Sequence, residues 1–232
     1  MEPKKVLLFL FEGVTDKIAL ENILKRIFSS STVDVEFLGT DITSDKNVPL
    51  ADVDNRLRNF VREKIRQLHI DLEDIEKIIH VIDTDGGFVD ENYIQYKEGL
   101  KKIEYTNKEI LSKDTAQTLK RNKDKTEKVN FLKNKSYLLF KAENKLHIDY
   151  RVFYFSRNRE HALMNKDNEL TNEEKADMAL SFASSFLRKE SEFIILLNDS
   201  SIKVDGTYEQ TWSYIQESNN SLHRHSNFHL AF

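Results

Sequence analysis

The sequence predicts an α/β fold in which a parallel sheet is flanked by helices, with a lysine-rich helical insertion and a C-terminal α/β extension. Three observations predict it. Val6 to Phe11 is a continuous apolar run, and Ile78-Ile79-His80-Val81-Ile82 is a short β-branched one. Both suit strands buried on two faces. Between them lie two amphipathic helical patterns, Leu20, Ile23, Leu24, Ile27 and Phe28, then Val53, Leu57, Phe60, Val61, Ile65 and Leu68. The resulting order of strand, helix, strand, helix, strand implies parallel pairing with right-handed crossovers.

The first strand is expected from Val6. The residues before it carry too short an apolar run, and no small-residue cleavage site, for a signal peptide. It stops at Glu12-Gly13-Val14-Thr15-Asp16, where Thr15 is placed to cap the next helix and Asp16 to face its positive end. Ser29 to Ser31 breaks that helix. Val33 to Leu38 reads as a second strand closed by Gly39, and Thr40 to Leu50 as a polar loop. The third strand runs into Asp83-Thr84-Asp85-Gly86-Gly87. From Asp90 to Lys135 helical periodicity shows only at Ile94, Leu100 and Ile103, so this stretch is expected to be a helical insertion over the strand ends. Ser136 to Phe140 and Ile148 to Phe155 read as strands, and Ser156 to Leu163 as a strand end turning into a helix. Thr171 with Glu174, and Thr207 with Gln210, are capping boxes. The first opens a helix striped by Ala176, Ala179, Leu180, Ala183 and Phe186; Phe193 to Leu197 fits a strand or a buried helix end. With two prolines and six glycines no linker is evident. Residues 1–140 are expected to form one α/β domain, with 141–232 packed on it as an extension of the same unit.

An apolar content of 39%, with 10% aromatic, argues for a folded chain. Tyr150, Phe153, Tyr154, Phe155 and Trp212 are expected in the core. No apolar run approaches the roughly 20 residues that a membrane span needs, and the expected location is cytoplasmic. The absence of cysteine excludes disulfides, thiol catalysis and cysteine-held metals. A net charge of −4 opposes indiscriminate nucleic-acid binding. It leaves room for a local basic patch at Lys120, Arg121, Lys123, Lys125 and Lys128, continued by Lys133 and Lys135, which reads as a nucleic-acid-facing surface or as a solvated helix face.

Asp83 and Asp85 end the third strand one residue apart. If the strand continues through them they share a face, and two ionised carboxylates so close repel unless a divalent cation joins them. Gly86 and Gly87 permit a tight turn with room for a metal or phosphate at the backbone. The plainer alternative is a surface turn, which Asp and Gly also favour. In a parallel sheet Glu12 would reach the same rim as Asp83 and Asp85, which raises the site reading.

Glu12-Gly13, then Asp16, then Asp83-Thr84-Asp85 two strands later, resembles the Toprim domain, a Rossmann-like family of topoisomerases, primases and nucleases. Ser156 to Leu163 is similar to a segment of RloB-like Toprim proteins. The chain is short for a topoisomerase and has no cysteine zinc ribbon, so the resemblance implies a compact metal-dependent nuclease acting on DNA or RNA. Among OLD-type and RloB-type nucleases such proteins serve phage defence. The chain has no Gly-x-x-x-x-Gly-Lys-Ser/Thr loop, so any ATPase partner would be a separate protein; a homo-oligomer is compatible with all of this. In that reading Asp83 and Asp85 hold Mg2+ or Mn2+, with Asp16 as a further ligand or merely a helix-start residue. Glu12 is a ligand or the general base, Glu160 allows a second metal, and Lys141 neutralises charge on the phosphate. Asp83-Thr84-Asp85-Gly86-Gly87 also looks like the first motif of haloacid-dehalogenase phosphatases, though in the wrong strand and without the later acidic pair. A third reading is a Toprim shell that binds nucleic acid or a partner and cuts nothing. His161 reads as structural, and His223, His225 and His229 lack a compelling fourth ligand for zinc.

Overall fold

In the computed structural model the described residues are 4–141, 145–167 and 170–232. The chain is α/β, with a mostly parallel five-stranded sheet flanked by helices in the strand order β2-β1-β3-β8-β7. These strands are β1 (Lys5–Phe11), β2 (Val33–Gly39), β3 (Ile75–Asp83), β7 (Tyr137–Phe140) and β8 (Leu146–Phe155). β1 pairs in parallel with β2, from Lys5↔Val33 to Phe11↔Gly39, and with β3, where Phe11 faces Val81. β7 and β8 form an antiparallel hairpin with Phe140 opposite Leu146. Chain order reverses between β1 and β3, the kind of switch point outside which open α/β sheets bind ligands.

The chain divides into two compact units interleaved along the sequence. One comprises Met1–Val81, Lys128–Val152 and Ala179–Glu190; the other comprises Ile82–Glu127, Phe153–Met178 and Ser191–Phe232. The expected division at residue 140 does not match this, because it would cut the β7–β8 hairpin.

In the first unit, β1 is buried on both faces, as its apolar run requires: Leu8, Phe9 and Leu10 are wholly inaccessible. Phe9 stacks with Phe37 of β2 at 5.4 Å between ring centres and meets Phe28 at 5.5 Å. Phe28 is the last residue of α1 (Val14–Phe28), whose buried stripe includes Leu20, Ile23 and Leu24. Gly13 caps α1 and no side chain bonds the cap, so Thr15 does not play the expected role. In α2 (Val53–Gln67), Val53, Leu57, Val61 and Ile65 are buried as the pattern predicts. Buried His80 of β3 bonds Tyr150 of β8, Nδ1 to hydroxyl, at 2.7 Å.

The second unit departs most from expectation. Residues 94–112 form a small sheet of β4 (Ile94–Tyr96), β5 (Glu104–Tyr105) and β6 (Ile110–Ser112), in the order β4-β6-β5. The expected helical insertion therefore opens with short strands and is helical mainly in its second half. Two- and three-residue strands are too short to show a period, and Ile94 and Ile110 point into a cluster with Val89 and Leu222. The one α-helix there is α3 (Thr115–Lys133), with a single 3-10 turn at Glu91–Tyr93 before the strands. Asn158 caps α4 (Arg159–Met164) by accepting from His161 N. The Thr171–Glu174 box opens α5 (Asn172–Ser185), which buries Ala179 and Phe182 while Leu180 stays exposed. Phe193 to Leu197 is helical, within α6 (Glu190–Leu197). The Thr207–Gln210 box opens α7 (Tyr208–Ile215), whose buried Trp212 packs edge-on to Tyr154. Tyr150, Phe153, Tyr154 and Phe155 are all buried. Among the described residues no helix is long and apolar enough to cross a membrane.

Removing the hydroxyl that caps α7, by Thr207→Ala, is expected to cost about 1 kcal/mol of stability, read as a lowered midpoint in urea unfolding.

Candidate functional site

In the first unit, Glu12 is the residue after β1, and its carboxylate accepts from the hydroxyl of buried Thr43. Asp16 is buried in the first turn of α1 and lies over Gly13, where a Cβ would come 3.0 Å from its Oδ2. That place suits a carboxylate at the positive end of a helix. Lys128 is wholly buried and donates to the Asp45 carbonyl at 2.8 Å, so it is no part of a nucleic-acid-facing surface. Lys141 follows β7, whose last residue pairs with the first of β8. An antiparallel strand carries its end to the start of its neighbour, so Lys141 sits in a hairpin at the amino end of β8 and not beside the carboxyl ends of β1 and β3.

In the second unit, β3 ends at Asp83, and the chain turns at once. Thr84 is buried; its N–H donates to Phe155 O at 2.9 Å and its hydroxyl accepts from Arg157 N at 2.8 Å. Asp85 N donates to Arg157 O at 2.8 Å, and Gly87 N to Thr84 O at 2.7 Å. Asp85 and Arg157 both take left-handed backbones, with φ of 46° and 56°. The same-face argument for Asp83 and Asp85 needed an extended backbone through Asp85, and it fails here. The glycines also act differently from expectation. A Cβ at Gly86 would lie 2.5 Å from Asn122 Nδ2, and one at Gly87 would lie 2.9 Å from Thr84 O. The missing side chain of Gly86 admits α3, while that of Gly87 lets the tight turn close on the Thr84 carbonyl.

One face of α3 covers the turn through Asn122, Lys125 and Thr126. Thr126 accepts from Phe88 N at 2.9 Å. Lys125 Nζ donates to Asp85 Oδ2 at 2.6 Å; the lysine side chain is 5% exposed and the aspartate 38%. One turn earlier, Arg121 donates to the Tyr105 hydroxyl at 2.6 Å. The Tyr105 phenol is pushed up to about 12, first by burial and then by the charge of Asp85, against the pull of Arg121 and Lys125. The Arg157 guanidinium stands 5.9 Å from the centre of the same ring and donates to Asp167 Oδ1 at 3.1 Å and to its carbonyl at 2.7 Å. Asp167 also lies 3.3 Å from His161 Nε2. Glu160 accepts from the wholly buried Arg159 at 2.6 Å, an internal ion pair in place of the expected metal ligand. Of the basic patch, Lys120, Arg121 and Lys123 are exposed, and Lys123 pairs with Glu91 at 3.5 Å. Lys125 is turned inward.

Among the described residues no three His, Cys, Asp or Glu side chains gather to hold a metal ion, the three C-terminal histidines included. A zinc site, with its three or four protein ligands, does not fit. Mg2+ and its analogue Mn2+ ask for fewer protein ligands, one or two carboxylates with water and substrate phosphate oxygens completing the shell. Asp83 ends β3 and Asp85 follows in the turn, where its Oδ2 accepts from Lys125.

Sequence reasoning missed Tyr105, Arg157 and Asp167. Tyr105 sits in a two-residue strand with no pattern of its own. Arg157 had a usable signal, since it follows β8 as Asp85 follows β3, at a strand end.

Gly86→Ala is expected to cost about 1–3 kcal/mol by overpacking, measured by urea unfolding, and adding Asn122→Ala should restore much of the loss. The imidazoles of His161 and His225 are both pushed down to about 4, mainly by burial, with Arg157 adding to the first and His223 to the second. Between the ordinary 6.5 and 4 the unfolded chain binds protons that the folded protein does not. Stability is therefore full above this window and falls as pH drops through it, and His161→Gln should flatten that slope in a pH series of melts. Compared with family models, with curated proteins and with solved structures, the chain finds no match.

Proposed function

We propose that this chain is a Toprim-like, Mg2+- or Mn2+-dependent nuclease that hydrolyses phosphodiester bonds of DNA or RNA at the carboxyl end of β3. The observation that carries the reading is the Lys125–Asp85 pair beside Tyr105, which is itself flanked by Arg121 and Arg157. Phosphodiester hydrolysis piles negative charge on the phosphoryl oxygens, and cations fixed on rigid elements stabilise that charge without reorganising. Arg121 and Lys125 come from one helix, and Arg157 from a strand end braced by Thr84. Their roles are to hold the phosphate and balance its charge, with the planar Arg forks fixing its orientation. Asp83 and Asp85 would hold the ion, which when bound supplies Lewis-acid charge on the phosphate oxygens. Glu12 belongs to the first unit and has no assigned step. The likeness of Glu12-Gly13 and Asp83-Thr84-Asp85 to the Toprim pattern extends the proposal to an antiphage effector working beside a separately encoded ATPase.

The test is cleavage of DNA and RNA by the purified chain with Mg2+, Mn2+ or chelator. Metal-dependent cutting is expected, lowered about a hundredfold or more by Asp83→Ala or Asp85→Asn, the scale of losing one fixed transition-state charge. Binding without cutting would instead indicate a silent binding module. Release of phosphate from monoesters alone would indicate the phosphatase reading.

A further inference from the structure

The Lys125–Asp85 pair has a second consequence, which rests on reading Asp85 as a cation ligand. Lys125 places a positive charge 2.6 Å from Asp85 Oδ2, and its side chain is shielded almost completely from water. A divalent ion bound to the same carboxylate would sit within a few ångströms of that ammonium. Two cations so close repel strongly where water cannot screen them. Two guanidiniums, those of Arg121 and Arg157, stand at Tyr105 nearby. Lys125 donates to Asp85, and Arg157 donates to Asp167. Cations grouped in this way attract a phosphate anion.

We propose that Lys125 holds the place of the divalent cation at Asp85, and that a phosphate of the substrate, by drawing Lys125 to itself, opens Asp85 to the ion. The stem of Lys125 makes this exchange feasible. An ammonium on four flexible methylenes can redirect its head while α3 stays seated on Gly86 through Asn122. Phosphate and metal then bind with positive coupling, and by linkage the coupling is reciprocal. The protein without substrate is thereby kept from loading the ion that would make it active.

The experiment measures Mn2+ binding to the full chain by electron paramagnetic resonance of the free ion. It is run with and without a phosphorothioate single-stranded oligonucleotide that resists cleavage, against a control lacking protein. Wild type should bind Mn2+ about 5–150-fold more tightly with the oligonucleotide, the usual range of coupling between sites. Lys125→Met should bind Mn2+ tightly without the oligonucleotide and show little further gain. Lys125→Arg preserves the ion pair with a guanidinium that holds a carboxylate by two bonds, and it should weaken Mn2+ binding with or without the oligonucleotide. It also serves as the folded control if the Met variant is unstable. Equal Mn2+ affinity in wild type with and without oligonucleotide, or in wild type and both variants, overturns the proposal. If wild type cleaves nucleic acid while showing no coupling, the nuclease reading survives and the exchange at Lys125 does not. If it neither cleaves nor binds Mn2+, both fall.

Discussion

Three hydrogen bonds hold the turn after β3 against the segment leaving β8, and the arrangement of charged groups in the second unit follows from them. Thr84 donates through its backbone to Phe155 and accepts through its hydroxyl from Arg157, while Asp85 donates to the Arg157 carbonyl. Asp85 and Arg157 leave this clasp in left-handed conformations, each costing roughly 1–2 kcal/mol for a residue bearing a Cβ. Aspartate tolerates that backbone better than most residues; arginine does not. Strain of this kind persists where surrounding bonds over-determine the backbone, and it collects at functional sites. Here its result is to set one half-exposed carboxylate and one buried guanidinium at neighbouring strand ends.

The sheet was the most legible part of the sequence. The apolar runs of β1 and β3 and the stripes of α1 and α2 each repeat a pattern long enough to read, and their order implies parallel pairing. Both capping boxes are present because the four residues of such a box satisfy one another locally. Illegibility begins where elements become short. β4, β5 and β6 hold two or three residues each, and their hydrophobic members are explained only by a cluster that includes Leu222, far along the chain.

Within the candidate site, the sequence pointed to the acids and misread the bases. Asp83 and Asp85 stand out because two carboxylates close an apolar strand, and the turn that Asp and Gly also favour is present there too. The lysine-rich stretch looked uniform, yet α3 divides it: Lys120 and Lys123 face solvent while Lys125 and Lys128 turn inward to Asp85 and the Asp45 carbonyl. Buried lysines are rare, so composition argued for a solvated face. Nothing in the one-dimensional pattern names the partner that makes burial tolerable. Glu160 is the converse. A lone acid near a strand end invites a catalytic role, and the structure gives it to Arg159 next door.

The interleaving of the two compact units also constrains how the protein is made. The backbone passes between them five times, and each is assembled from three separated stretches. Neither can be excised as a single fragment. During synthesis the first unit stays incomplete until Ala179–Glu190 emerges from the ribosome, and the second until Ser191–Phe232 does. Closing such distant segments makes folding slow. The nascent chain must carry its apolar strands until residues 179–190 and 191–232 have been made before the two cores can seal.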